Sequence, residues 1–132
     1  MINKINVRTG SRFEMVDITD RVNSVLRDLK AGEGICTIFV THTTAGVTIN
    51  ENADPAVPKD IESGLERIAP KDAGYRHAEG NSDSHIKSSL VGPSLSVLVQ
   101  GGRLVLGTWQ SVFFCEFDGP RSRSALVKYI PG

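Results

Sequence analysis

Two short polar runs hold all three histidines of the chain. His42 lies in the run 41–46, Thr-His-Thr-Thr-Ala-Gly, whereas His77 and His85 lie within residues 75–92, where small polar residues predominate. Neutral imidazole is a common zinc ligand, and three histidines plus a water form an open catalytic site. We therefore expect the two runs to meet and to build one metal-centred pocket.

The spacing of His77 and His85 sets a condition on this pocket. A continuous helix would separate them by about 12 Å, too far for one ion whose bonds to nitrogen are roughly 2 Å long. The turn-forming residues 79–82, Glu-Gly-Asn-Ser, would let the chain fold back so that both rings converge. The spacing alone is equally compatible with surface histidines that share no ligand.

Several acidic residues follow or separate the histidines, and each has two interpretations. A carboxylate could orient a histidine or act as general base on a metal-bound water, or it could be a helix cap or a solvated charge. For Asp54, which precedes Pro55, the N-cap interpretation is favoured. Glu51 is as consistent with a site role as with a structural one. The other candidates are Asp60, Glu79 and Asp83.

Gln110 and Arg121 are further candidates for the site. Arg121 ends the tight turn Asp118-Gly-Pro-Arg121, and an arginine placed there suits bidentate binding of phosphate or carboxylate. The same position equally suits a structural ion pair with a nearby acid.

Two stretches have the period of amphipathic helices, with capping residues before each and apolar residues on one face. Residues 84–90 could add one more helical turn. The capping residues are Asp17 or Thr19 in the first helix and Asp54 in the second, and the apolar faces comprise Val22, Val25, Leu26 and Leu29, and Val57, Ile61, Leu65 and Ile68.

Eight segments read as strands because they are rich in β-branched residues or alternate between apolar and polar residues. Residues 2–8 and 13–16 are expected to pair as a hairpin, as are 94–100 and 103–106 around Gly101-Gly102. The sequence therefore predicts one α+β domain, residues 1–132, with mainly antiparallel sheet or sandwich and two main helices. The remaining strands are 35–41, 47–50, 108–118 and 124–130.

Composition excludes several classes of function. Fifteen basic and fifteen acidic residues cancel, so nothing favours a nucleic-acid or anionic-membrane partner. No signal peptide and no membrane-spanning apolar run is recognisable, which makes the cytoplasm the expected location. Cys36 and Cys115 lie in apolar runs and are interpreted as buried reduced thiols rather than as a disulfide or a catalytic thiol.

Jointly, the motifs closely resemble the YjbQ family over essentially the whole chain. This is an uncharacterised protein family, some of whose members are named secondary thiamine-phosphate synthase. The chain departs from the family's motif at Glu79, because many relatives have Asp before the Gly-Asn pair. The motifs are Thr41-His-Thr-Thr-Ala-Gly46, Asn50-Glu51, Asp54-Pro55, Tyr75-x-His77, Gly80-Asn81, Ser84-His85, Ser88-Ser89-Leu90-x-Gly92, Gly107-Thr-Trp-Gln110 and Asp118-Gly-Pro-Arg121.

The resemblance implies a compact α+β homotrimer with a divalent metal on the three histidines, zinc first and magnesium as the alternative. It also implies an enzyme that couples a pyrimidine methyl diphosphate to a thiazole phosphate and releases pyrophosphate. In this chain the metal ligands would be His42, His77 and His85, the catalytic residues Glu51 and Arg121, and the substrate-binding residues Thr44, Asn81, Ser88 and Gln110.

Other functions remain open from the sequence. A zinc hydrolase of a small substrate would use metal-bound hydroxide with Glu51 as its base, and a non-catalytic metal- or metabolite-binding trimer would retain metal without turnover. A fourth protein ligand such as Glu79 would close the metal site and favour the non-catalytic class. A purely structural role for the histidines is disfavoured, because the apolar strands and helices suffice for a core.

Overall fold

The computed structural model describes all 132 residues and contains eight strands and three helices. In chain order these are β1 (Ile2–Arg8), β2 (Glu14–Asp17), α1 (Thr19–Asp28), β3 (Gly34–Val40), β4 (Ala45–Glu51), α2 (Ala56–Ile68), α3 (Ser82–Val91), β5 (Ser94–Gln100), β6 (Arg103–Leu104), β7 (Gln110–Glu116) and β8 (Ser122–Pro131).

The strands form two antiparallel sheets, which confirms the α+β prediction. The five-stranded sheet has the order β1-β8-β3-β5-β6 and the three-stranded sheet the order β2-β7-β4. The predicted hairpin around Gly101-Gly102 is confirmed, since Val99 pairs with Leu104 and Gln100 with Arg103.

The predicted pairing of the first two strands is wrong. β1 pairs along all seven residues with β8, whereas β2 pairs with β7 in the other sheet. A hairpin with the four-residue β2 would leave much of β1 without backbone partners, whereas β8 satisfies the whole strand. The link between β1 and β2 therefore carries the chain from one sheet to the other.

A cluster of 17 buried apolar residues fills the space between the sheets and α1. Ile38 of β3, Phe114 of β7 and Leu26 of α1 are each fully buried there. Burying one such side chain contributes roughly 1.5–3 kcal/mol. The predicted inward face of β3 is confirmed, because Cys36 and Val40 belong to the same cluster as Ile38.

A second, smaller cluster lies on the other face of β7 and is formed by Phe113, Cys115 and Phe117. Leu65 of α2 and Val91 of α3 pack against it. Both faces of β7 are therefore covered, as predicted for a central strand. No helix of the chain is both long and apolar enough to cross a membrane.

The third helix is longer than the single helical turn that the sequence predicts. α3 runs for ten residues, and its inward side chains are the polar residues Asp83, Ser84, Lys87 and Ser88. This spacing is helical, yet it has no apolar period for a hydrophobic pattern to detect. The helix packs on β4, and it carries His85.

Candidate functional site

All three histidines line one open cleft of about 420 Å³, which we call the histidine cleft. None of its 11 lining residues is hydrophobic. A concave site that presents several convergent polar groups is typical of small-ligand binding. The lining residues are Thr41, His42, Thr43, Thr44, His77, Glu79, Asn81, His85, Asp118, Arg121 and Arg123.

His77 and His85 lie side by side in this cleft. Their ring centroids are 5.3 Å apart and the ring planes are nearly perpendicular, at 88°. The predicted fold-back of the chain is confirmed, with Gly80 at φ +78° in the connecting turn. Two imidazoles that share one tetrahedral ion would have centroids roughly 5 Å apart, given metal–nitrogen bonds of about 2 Å. The spacing of this pair therefore suits one shared ion.

His42 lies in the same cleft but has a different hydrogen-bonding state. Its Nε2 accepts the backbone N–H of Ser124 at 3.0 Å, just beyond the last β3–β8 pair, Val40 with Ala125. Burial lowers the pKa of His42, and the positive charge of Arg123 lowers it further. A neutral ring whose Nε2 accepts a hydrogen bond carries its proton on Nδ1, so neither nitrogen offers a free lone pair.

The three histidines of the cleft therefore fit a single metal ion only in part. No group of three or more His, Cys, Asp or Glu side chains is gathered closely enough to hold an ion. His77 and His85 suit one ion as they stand, and His42 could join them only after its ring releases the Ser124 N–H. The nearest carboxylate to the pair is Glu79, whose Oε2 lies 3.9 Å from Nε2 of His77.

A small polar network fixes the rim of the cleft. Asp118 accepts hydrogen bonds from Asn81 Nδ2 at 2.8 Å and from Arg121 Nη2 at 3.0 Å. Burial alone would raise the pKa of Asp118, but these hydrogen bonds outweigh it and lower the pKa. The carboxylate is therefore ionised at neutral pH. The Arg121 side chain is 53% exposed, so this arginine is an exposed rim residue rather than a buried anchor.

Buried polar contacts hold α3 and thereby place His85. Asp83 is fully buried and binds Arg12 at 3.0 Å and Lys87 at 2.9 Å. Ser84 donates to the backbone carbonyl of Phe117, and Ser88 donates to that of Thr43. The polar side of α3 thus replaces the apolar stripe by which most helices attach to a core.

Glu116 and Arg123 are residues that the sequence reasoning missed. Glu116 is fully buried, and it binds Nη2 of Arg123 at 2.5 Å and Nε at 2.7 Å. The signal that could have found Glu116 is its position in the otherwise apolar run 112–117, because a charge buried in a strand must have a charged partner. Arg123 is that partner, and it lies in the floor of the cleft.

Three predicted site residues, Glu51, Ser88 and Gln110, do not line the cleft. Glu51 pairs with Gln110 at the far end of the β4–β7 ladder, six positions from the Ala45–Glu116 pair beside the cleft. At about 3.3 Å per residue the separation is roughly 20 Å. The catalytic role expected for Glu51 has no geometric support within one chain, because its Oε2 accepts the Asp54 N–H at 3.2 Å and shapes the loop before α2.

The remaining predicted residues differ in their placement. Gln110 folds back on its own turn, where Oε1 accepts the Gly107 N–H. Thr44 and Asn81 line the cleft as expected, whereas Ser88 lies beneath it and contacts the Thr43 carbonyl. Asp54 binds the beginning of α2, because its Oδ1 accepts the N–H of Ala56, but the N-cap position is Pro55, one residue later than predicted.

Fold and site together define a two-sheet α+β protein with a polar, histidine-lined cleft at one end of its smaller sheet. The chain belongs to the YjbQ family: residues 3–132 match the family described as UPF0047 protein YjbQ-like. This confirms the resemblance found in the sequence motifs.

Named relatives and solved structures agree with that assignment. The chain is 52% identical to a UPF0047 protein of Methanocaldococcus jannaschii over 98% of its own length and 94% of the relative's. It is 47% identical to the UPF0047 protein YugU of Bacillus subtilis, with 97% and 98% covered. A crystal structure of an uncharacterised YjbQ/UPF0047 protein from Clostridium acetobutylicum has a TM-score of 0.94 at 44% identity, with 97% of this chain and 99% of that chain covered.

Proposed function

We propose that the chain is a metal-dependent enzyme acting on a small phosphorylated substrate. The proposed reaction is the coupling of a pyrimidine methyl diphosphate to a thiazole phosphate with release of pyrophosphate. The observation that carries the proposal is the convergence of three histidines and two arginines, Arg121 and Arg123, in one cleft without a hydrophobic lining residue. Imidazole suits a divalent ion, zinc before magnesium, and guanidinium suits phosphate.

The proposed ligands are His77 and His85, with His42 joining after it exchanges its Ser124 contact. A divalent ion bound there would supply Lewis-acid neutralisation of a diphosphate leaving group. The chain's own residues would then bind and orient the substrate. Thr44 and Asn81 line the cleft and are the proposed substrate-binding residues. Arg121 can turn toward a ligand from the rim.

The position of Glu79 favours a second candidate, a metal- or metabolite-binding protein without turnover. Its carboxylate lies 3.9 Å from His77, close enough to become a further protein ligand after a small movement. A site closed by protein ligands retains metal but has no open position for a substrate. The hydrolase alternative is less favoured, because its expected base, Glu51, lies outside the cleft.

We also propose that the chain assembles as a homotrimer. The support is an apolar surface on the five-stranded sheet, where the paired residues Ile35, Leu98 and Ile130 all point outward. They are 42%, 65% and 49% exposed, respectively. Contiguous exposed apolar side chains of this kind mark interaction surfaces. Analytical ultracentrifugation tests the trimer, and a sedimenting monomer would contradict it.

Metal content tests the central proposal. Purified tag-free protein should hold about one zinc per chain, whereas the His77→Ala/His85→Ala double variant should hold none and still fold. The zinc-loaded wild type should form thiamine phosphate from the two phosphorylated precursors, and the double variant should not. Stoichiometric zinc without product formation would favour the binding protein, and absence of zinc even after zinc addition would contradict the enzyme and leave only a metabolite-binding protein.

A further inference from the structure

The arginine in the floor of the histidine cleft is built differently from the arginine on its rim. Arg123 is 7% exposed, and its guanidinium is held by Glu116 and by Thr44. The side chain of Arg121, in contrast, is more than half exposed, and its guanidinium bonds only to atoms of Asp118. A rigid, buried guanidinium loses little side-chain entropy when it binds a ligand, whereas an exposed one must be ordered first.

One amino group of Arg123 remains without a partner. Its Nε binds Glu116 and its Nη2 binds Glu116 and Thr44, whereas Nη1 makes no hydrogen bond within the chain. Nη1 is not enclosed by protein either, since the enclosed unpartnered side-chain atoms are Asn3 Nδ2 and Asn81 Oδ1. Arg123 is one of the residues that line the histidine cleft, so an unpaired and incompletely enclosed Nη1 belongs to a lining residue of that cleft.

A second donor lies beside it. Thr44 accepts the Nη2 hydrogen bond on Oγ1 at 2.8 Å, which orients the hydroxyl, and the hydroxyl proton itself makes no contact within the chain. Thr44 is buried to 6% exposure and also lines the cleft. A guanidinium N–H from β8 and a fixed hydroxyl from the residue before β4 suit an anion with several oxygens.

We infer that Arg123 and Thr44 form the fixed phosphate-binding subsite of the histidine cleft, with Glu116 as the positioning residue. This inference rests on the proposed function in that it names the part of the phosphorylated substrate that the cleft holds. It assigns the phosphate to the buried arginine, in place of the exposed Arg121. Glu116 touches no ligand in this arrangement and acts by fixing the guanidinium plane.

The competing explanation is that Glu116 and Arg123 form a purely structural ion pair. The two explanations differ in whether every donor of the arginine is paired within the protein. A buried carboxylate–arginine pair that serves only the core would have all its donors paired inside the protein, since each unpaired buried donor is costly. Here Glu116 is saturated by Arg123, Thr9 and the Asp118 N–H, whereas the arginine is not. The unpaired donor therefore belongs to a residue that lines the ligand cleft.

Anion titration of metal-free protein tests this subsite. Calorimetry with pyrophosphate and with inorganic phosphate should give one site per chain in the wild type, with acetate much weaker. Arg123→Lys should weaken pyrophosphate binding roughly ten- to hundredfold, the range for losing a hydrogen bond to a charged group. The matched control Arg67→Lys, on the exposed surface of α2, should leave the affinity unchanged. Equal affinity of the wild type and Arg123→Lys would overturn the inference, as would a larger loss in Arg121→Gln.

Two further measurements keep the test decisive if the Arg123 variant does not fold. In the wild type, the side-chain ¹⁵N–¹H signals of Arg123 should shift on pyrophosphate addition and saturate with the calorimetric affinity, and unmoved signals would overturn the inference. Glu116→Gln should weaken pyrophosphate binding and alter the same signals before any ligand is added. These titrations use metal-free protein. A negative result would therefore contradict the phosphate subsite without contradicting the zinc site, and the zinc measurement can fail independently.

Discussion

The backbone N–H of Ser124 donates to Nε2 of His42 at 3.0 Å, so a side chain continues the pairing of β3 with β8 where the ladder ends. The ring also lies edge-on to Phe114, with the centroids 6.5 Å apart. His42 is thus integrated into the sheet, whereas His77 is carried on a loop. The two histidines should therefore respond differently to removal.

His42→Ala should destabilise even the metal-free protein. It removes the partly buried hydrogen bond to the Ser124 N–H, which costs about 0.5–1.5 kcal/mol. His77→Ala is the matched control, because that side chain is 41% exposed and should change stability by less than about 0.5 kcal/mol. Urea unfolding after metal removal measures both variants. Equal stabilities of the two would show that the Ser124 contact has no structural role.

The buried carboxylate of Asp83 anchors α3 through two cations, Arg12 and Lys87. Asp83→Asn should lower the free energy of unfolding by about 3 kcal/mol, because it leaves Arg12 without an ionic partner and the buried Lys87 with Glu66 alone. This value is the lower end of the range that is usual for breaking a buried ion pair, because the Arg12 side chain is 34% exposed. Asp72→Asn, on an exposed loop, is the control and should be neutral.

The same contact makes stability depend on pH. Burial would raise the pKa of Asp83, but hydrogen bonds from Arg12 and Lys87 outweigh it and lower the pKa below the ordinary value. A carboxyl with a lowered folded-state pKa stabilises fully above its unfolded pKa of about 3.9, and that contribution disappears as pH falls through the folded value. Urea midpoints should therefore fall more steeply below about pH 4 in the wild type than in Asp83→Asn. Parallel pH curves would contradict this assignment.

The two thiols should be inert in the folded protein. Burial raises the pKa of Cys36 to about 11 and that of Cys115 to about 12, so neither is a thiolate at neutral pH. Both are free and buried, as the sequence predicted. Ellman's reagent should detect no thiol in native protein near neutral pH and both thiols in urea. Rapid reaction of the native protein would show that one thiol is accessible.

The apolar elements could be predicted because they have regular periods. The inward face of β3 and the two faces of β7 follow the period of two, and α1 follows the helical period. The position of β1 could not be predicted in this way, because its partner β8 lies more than a hundred residues later. Local hairpin signals carry no information about such distant pairing.

The candidate site was predictable only by residue type. Histidines in polar runs are conspicuous, and the turn at Gly80 allowed the convergence of His77 and His85. The charged floor was only partly visible, because Glu116 stands out in the apolar run 112–117, whereas Arg123 lies between two serines and resembles an exposed position of an ordinary strand. Burial turns them into a pair, and burial on that face depends on how the two sheets pack.

Gly46→Ala should disturb the cleft from beneath. A Cβ on Gly46 would lie 2.7 Å from the carbonyl oxygen of Gly92 and 3.2 Å from Cγ1 of Val91, so β4 and the end of α3 would have to separate. Such overpacking costs typically about 1–3 kcal/mol. Gly64→Ala is the matched control: its Cβ would meet only the flexible end of Arg67 at 4.0 Å, and alanine should stabilise α2 by about 0.5–1 kcal/mol. Thermal unfolding distinguishes them, because the two melting temperatures should move in opposite directions. A rise in both would mean that α3 does not pack on β4 as closely as Gly46 requires.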